Sequence, residues 1–315
     1  MGTAIGHVLP GIGYFLVGLW HLVNHIKLHS LNPKSYTALA FFPISNMKYL
    51  ELYLMMGASG FFILMELLIG QVGHTLIIDG GISGHHLRNF EHAFITLWIF
   101  IYAAFALILD RFSRSSSQFY GLTLTLAFVA FGQEYLMFYF HSTDHMGLEG
   151  HYHWLLQIAT LLSLVTTAFG IGNRRSFLLS FVRSFSILFK GAWYVVMGVV
   201  FWNPWLTPKG CFIVKEEYYR VRCHTKEALE RAKALTNLEF SWFLVFFVVL
   251  TVCLYLYMIR IYPEKVGYQP LMEKSFDTSD DDLDKKEGED GEGRQKRCKP
   301  APLNSCIEMG IGINA

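Results

Sequence analysis

Trp242–Ile259 reads WFLVFFVVLTVCLYLYMI, eighteen consecutive residues without Lys, Arg, Asp or Glu. A helix crosses a hydrocarbon core about 30 Å thick with about 20 mostly apolar residues. With its flanks, this stretch predicts a spanning helix over residues 240–262. The same test, carried outward along the chain, finds six more spans at about 8–26, 49–69, 90–109, 119–140, 152–171 and 186–205. The second contains Glu51 and Glu66, and the fourth contains Glu134. The first 26 residues hold no Lys or Arg, so they lack the basic start of a secretory signal and read as a first span. The expected fold is all-α, a seven-transmembrane-helix bundle over residues 1–262.

Composition agrees with that reading. Of 315 residues, 53% are hydrophobic and 16% charged, and the mean hydropathy is +0.34. Average soluble domains carry about 25% charged residues. The net charge of +1 hides two regions. Residues 263–315 hold 12 acids and 8 Lys or Arg, a net of −4, while residues 1–262 hold 13 acids and 18 Lys or Arg, a net of +5. A soluble globule, a nucleic-acid binder and a disulfide-dense secreted module all fit badly. The bilayer is the expected partner, and the polar, acidic segment after residue 262 is expected to be a disordered cytosolic tail.

Orientation follows from basic residues in short loops, which favour the cytosolic side. Lys27, Lys34, Lys48, Arg111, Arg114, Arg174, Arg175, Arg183 and Lys190 fall on one side, against Arg88 on the other until the longer, mixed-charge segment 206–239. The N-terminus is therefore expected to be extracytoplasmic and the C-terminus cytosolic. Cys211 and Cys223 then lie on the oxidising side, where a disulfide persists. Two free thiols are the alternative.

Thirteen histidines are many for such a chain. His7, His92, His141, His151 and His153 gather at the extracytoplasmic ends of the spans, with Glu134 two turns inside the fourth. Imidazoles with a carboxylate suit Zn or non-haem Fe, and Glu134 suits a ligand or a general acid/base. The same groups can pass protons, because histidine titrates near neutral pH. An interfacial histidine belt is the plainer alternative. His151 and His153 converge if their segment is extended and diverge by about 200° if it is helical. His21, His25 and His29 form a second stripe at the other end, where Glu51 can pair with one of them as a packed interhelix contact.

Five stretches carry a family resemblance: GHVLPG (Gly6–Gly11), NFEHAFITLWIF (Asn89–Phe100), EYLMFYFH (Glu134–His141), LEGHYHWLL (Leu148–Leu156) and VRSFSILFKGAWYVVMGVV (Val182–Val200). In that order they resemble the transmembrane protein 45 family, seven-helix eukaryotic proteins without a known function. The resemblance implies His7, His92, Glu134 with His141, and His151 with His153 as the patterned polar residues. It also implies residence in the Golgi, endosome and lysosome system, and it supplies no reaction or cofactor.

Gly267-Tyr268-Gln269-Pro270-Leu271 places a Tyr-x-x-apolar sequence just past the last span. In an exposed cytosolic tail, Tyr268 and Leu271 would bind clathrin adaptors as an extended strand. The sequence thus favours a trafficking or regulatory role for a multi-pass endomembrane protein. Its alternatives are a Zn- or Fe-dependent membrane enzyme and a proton-linked transporter.

Overall fold

Glycines decide how the central helices pack. The first apolar segment folds as α1 (Ala4–Leu31), and α6 (Phe177–Val200) runs antiparallel against it. A Cβ on Gly18 would lie 2.3 Å from the Leu188 backbone nitrogen, and one on Gly191 would lie 2.2 Å from the Phe15 nitrogen. Only glycine permits this backbone approach. Small residues at such contacts are the usual means of packing helices where lipid removes the hydrophobic drive between them. Trp193, Met197, Leu188 and Leu22 fill the space around the contact and are buried.

The computed structural model describes residues 4–69, 77–78, 80–82, 84–113, 115–141, 147–215 and 219–263. The tail, with Tyr268 and Leu271, lies outside the described residues. The remaining long helices are α2 (Leu50–Leu64), α3 (Gly84–Phe112), α4 (Ser116–His141), α5 (Leu148–Gly172) and α7 (Lys226–Ile261). A π turn, Met65–Ile69, continues α2. Neighbours in sequence pack together, α2 on α3, α3 on α4, α4 on α5 and α5 on α6, while α7 lies across α1, α5 and α6. Two antiparallel pairs complete the elements: β1 (Ile77–Ile78) with β2 (Gly81–Ile82), and β3 (Cys211–Lys215) with β4 (Tyr219–Cys223).

Six of the helices are long and apolar enough to cross a membrane: α1, α2 with its π turn, α3, α4, α5 and α7. Their outward faces show large apolar side chains, among them Phe61, Leu68, Phe94, Phe169, Phe246 and Tyr257. Contiguous apolar surface on this scale suits hydrocarbon rather than water. The helix α6 differs. Ser180, Arg183, Ser184, Ser186 and Lys190 lower its apolarity, and all five are buried. The sequence placed this helix at 186–205; it begins at Phe177, capped by the Ser176 hydroxyl accepting from the Leu179 N–H. Arg183 and Lys190 are therefore helix-interior residues and carry no vote as loop charges.

The segment 206–239 also differs from the expected loop. Cys211 and Cys223 are paired residues of the β3–β4 ladder and are joined by a disulfide. From Thr225, whose hydroxyl caps the Ala228 N–H, α7 runs for 36 residues, or about 54 Å at 1.5 Å per residue. That exceeds a hydrocarbon core of about 30 Å. The first turns, bearing Lys226, Glu227, Glu230, Arg231 and Lys233, account for the excess.

Candidate functional site

Helix polarity brings five element ends together: the starts of α1, α3 and α5 and the ends of α2 and α6. His7, His92 and His153 are buried there, one from each start. The His7 ring centroid lies 6.3 Å from that of His92 and 5.9 Å from that of His153, both edge-on. Trp202, just past α6, lies 5.3 Å from the same ring. Glu66, on the π turn, places Oε1 3.5 Å from His92 Nδ1. Single π turns are frequent at functional sites. His153 Nδ1 lies 2.9 Å from the Glu149 carbonyl oxygen, which only accepts, so Nδ1 carries the proton and Nε2 is left as the acceptor.

Two of the expected site residues, His151 and Glu134, stand apart, and the side chain of a third is not described. His151 diverges from His153 because their segment is helical. Its Nε2 lies 2.7 Å from Asn237 Oδ1, and its ring stacks on exposed Trp154. His141 closes α4, and its side chain lies outside the described residues. Glu134 does not join the imidazoles either. Lys190 Nζ donates to its Oε2 at 2.6 Å, with side-chain exposures of 0% for the lysine and 3% for the glutamate. Among the described residues, no group of three or more His, Cys, Asp or Glu side chains is arranged to hold a metal ion.

The Glu134–Lys190 pair sits deep in the bundle. Lys190 is ten residues before the end of α6, about 15 Å along the axis. Aromatic rings wall its ammonium: the Tyr14 centroid lies 3.8 Å from Nζ and the Phe131 centroid 4.6 Å. Tyr14 stacks on Tyr194 at 6.0 Å, and the Tyr194 ring lies 6.3 Å from His7. Lys190, Tyr14, Tyr194 and His7 thus form a line of polar side chains from the buried pair to the histidine end. Glu134 Oε1 is buried and accepts no hydrogen bond.

The other histidine stripe packs differently. His21 Nε2 lies 2.6 Å from Glu51 Oε1, while the Trp20 indole and the Phe42 backbone N–H each donate to Oε2 at 2.9 Å. His25 Nδ1 lies 2.8 Å from the Tyr36 hydroxyl, and His29 stacks on Phe177 with centroids 4.0 Å apart. This is the interhelix contact expected for Glu51. Lys190, Glu66, Tyr14 and Tyr194 were not singled out as site residues by the sequence. Lys190 carried a signal, as a charge within an otherwise apolar stretch.

Seven long helices among the described residues, six of them apolar enough to span, with an ion pair enclosed by the bundle, define a multi-pass helical membrane protein. Residues 120–256 match the model of a family of unknown function (DUF716). The match covers most of α4, all of α5 and α6 and most of α7, and so includes Glu134, Arg183 and Lys190 but not His7 or His92. That family is one of membrane proteins and includes the transmembrane protein 45 group.

Proposed function

We propose that this chain is an endomembrane protein of the transmembrane protein 45 group whose bundle carries a proton-linked transport activity centred on Glu134 and Lys190. The ion pair carries this reading. Ionisable residues enclosed among membrane helices are costly and commonly mark ion or proton pathways. Well-packed apolar side chains often replace a buried pair at no loss of stability, so packing alone does not call for one. The unbonded Oε1 of Glu134 is open to a proton while Oε2 still holds Lys190. Once protonated, the carboxyl no longer balances the ammonium. Lys190 then sheds its own proton or turns to another acceptor, and the α4–α6 contact takes a second arrangement. Tyr14, Tyr194 and His7 supply the route between the pair and the histidine end.

The test is proton flux in liposomes. Wild-type protein under an imposed pH gradient is expected to dissipate it, read by an enclosed pH-sensitive dye. Glu134→Gln and the double variant Glu134→Leu/Lys190→Met are expected to remove that flux. The double variant is the stricter arm, because it leaves no unbalanced buried charge and should keep its helix content. Unchanged flux in the folded double variant would overturn the reading.

In this reading α6 is the seventh crossing, the histidine end is extracytoplasmic and the C-terminus is cytosolic. Lys27, Lys34, Lys48, Arg111, Arg114, Arg174 and Arg175 support that orientation once Arg183 and Lys190 are set aside. Tyr268 and Leu271 then face the cytosol and direct the protein through clathrin adaptors to the Golgi, endosomes or lysosomes. Tyr268→Ala is expected to mislocalise it, and unchanged localisation would remove this part. A metal-dependent enzyme is the second reading, favoured by the approach of His92 and His153 to His7. Stoichiometric Zn or Fe in purified protein, lost in His7→Ala, is its measurement.

A further inference from the structure

At the end of the bundle opposite His7, two buried nitrogen groups lack a hydrogen-bond partner. The first is Arg183 on α6. The residue is 6% exposed, and its Nη1 has no hydrogen-bond partner. Arg183 forms no ion pair among the described residues. The second is His25 on α1, 0% exposed, whose Nε2 is also without a partner. In the tautomer in which the Tyr36 hydroxyl donates to Nδ1, the His25 proton resides on Nε2 and makes it a donor.

These groups share one region. The Arg183 guanidinium lies within electrostatic reach of His25, Tyr36 and Tyr102. It lies over Gly170 of α5, where a Cβ would meet Nη1 at 2.7 Å and the Tyr120 hydroxyl at 3.9 Å. Glycine at 170 is thus what gives the guanidinium its place. Glu51, the buried acid of this end, makes no ion pair with Arg183; its two oxygens are bonded by His21, the Trp20 indole and the Phe42 N–H. A water would satisfy a donor but not the charge. Arginine enclosed in a bundle without a counter-charge is strongly unfavourable. Its planar fork matches the two oxygens of a carboxylate or phosphate.

We propose that Arg183, with His25 and the Tyr120 hydroxyl, forms a buried site for an oxyanion, a carboxylate or phosphate group, between α1, α4, α5 and α6. Entry is from the adjoining surface. Arg174 lies 5.1 Å from the Tyr120 ring centroid, and it also lines an open cavity of about 290 Å³ with Lys48, Asp110, Ser115 and Ser116. Asp110 offsets Lys48 there, so Arg174 with the two hydroxyls is what draws an anion toward Tyr120 and Arg183. The site is independent of the proton-linked reading of Glu134.

Thermal unfolding of the full chain tests the site, in detergent with chloride-free HEPES and rising sodium phosphate, and in nanodiscs of phosphatidylcholine with or without phosphatidylserine. The variants are Arg183→Met, which removes the charge, and Arg183→Lys, which keeps the charge without the fork. A saturable rise in Tm with phosphate, weakened at least tenfold in apparent Kd in Arg183→Lys and absent in Arg183→Met, supports the site with a free anion as ligand. A rise only with phosphatidylserine, again absent in Arg183→Met, supports it with a lipid headgroup as ligand. No rise with either, or an equal rise in wild type and Arg183→Met, overturns it. Glu134→Gln is expected to keep the anion response, so failure here and failure of the proton reading are separable.

Discussion

Glu51 and Glu134 are both buried glutamates that face a basic side chain on another helix, yet their surroundings differ. Glu51 Oε1 is held by His21, and Oε2 by the Trp20 indole and the Phe42 N–H, so the carboxylate ties α2 to α1 and to the segment between them. Glu134 is bonded by Lys190 at Oε2, approaches the Tyr14 hydroxyl, and keeps a buried Oε1 that accepts no hydrogen bond. A carboxylate with both oxygens engaged and three bonds made is a structural rivet. One with spare capacity in a dry site is costly to keep, which is why it is read as functional.

Single truncations do not separate the two. Glu51→Ala and Glu134→Ala are each expected to lose about 3–5 kcal/mol, because each leaves a buried partner without its counterpart. Thermal or denaturant unfolding in micelles measures this. A loss near zero at Glu51 would break the comparison at its firmer side.

Double replacements do separate them. Glu134→Leu/Lys190→Met removes both charges and leaves no buried ion without its partner, so its stability is expected within about 1 kcal/mol of wild type or above it. Glu51→Leu/His21→Leu still strands the Phe42 N–H and the Trp20 indole, and about 2–6 kcal/mol of loss should remain at roughly 1–3 kcal/mol per unmet buried group. Equal behaviour of the two doubles would mean that bond count does not mark function here.

Much of this contrast was legible in the sequence, and the rest has definite reasons to be hidden. Apolar length alone revealed α1, α3, α5 and α7, and placed Glu51 beside the His21 stripe. The bounds of α6 were misplaced because hydropathy treats Arg183 and Lys190 as water-seeking. In the fold they are enclosed by small residues such as Ser180, Ser184 and Gly191 that let other helices approach. The partner of Glu134 was out of reach for the same reason. Lys190 is 56 positions away, and nothing local ties the two. His151 and His153 depended on whether residue 151 opens a helix, and Gly147 as the residue before α5 settles that in favour of divergence. The β3–β4 hairpin was missed because CFIVK and YRVRC are five residues each, too short to stand out beside spans of twenty.

That hairpin gives a regional test. Val221 of β4 packs in the same cluster as Trp193 and Met197 of α6, so the disulfide braces the end nearest Glu134. Closing a loop of about this length contributes about 3 kcal/mol. Cys211→Ser/Cys223→Ser is expected to lose about 2–3 kcal/mol and to speed hydrogen exchange in β3, β4 and the last turns of α6. Exchange around Glu51 should not change.

At the Glu51 end, Tyr36 offers a smaller effect with a pH signature. Tyr36→Phe removes the hydroxyl bonded to His25 and is expected to cost about 1–2 kcal/mol. Burial pushes the Tyr36 hydroxyl up to about 12 from its ordinary 10.0. The unfolded chain ionises first, so wild-type stability falls as pH rises from about 10 to about 12. Phenylalanine cannot ionise, and the variant should show a shallower slope over that window.

The smallest effect belongs to an exposed counterpart of the buried pair. Lys48 also bonds a carboxylate, Asp110 at the end of α3, but its side chain is 54% exposed. The hydrogen bond to Asp110 raises the Lys48 pKa above its ordinary 10.5. Its contribution is therefore complete below that value and lost as pH climbs past the raised one. Water and salt screen such a pair, and Asp110 keeps a second donor in the Tyr49 hydroxyl at 2.9 Å. Lys48→Met should then cost under about 1 kcal/mol at neutral pH, and less at high salt. Lys190→Met alone, with the same chemistry but no water, should cost several times more, because it strands Glu134 in the dry interior. Similar losses from the two lysines would mean that the interior around Lys190 is wet, and the enclosure on which the proton reading rests would fail.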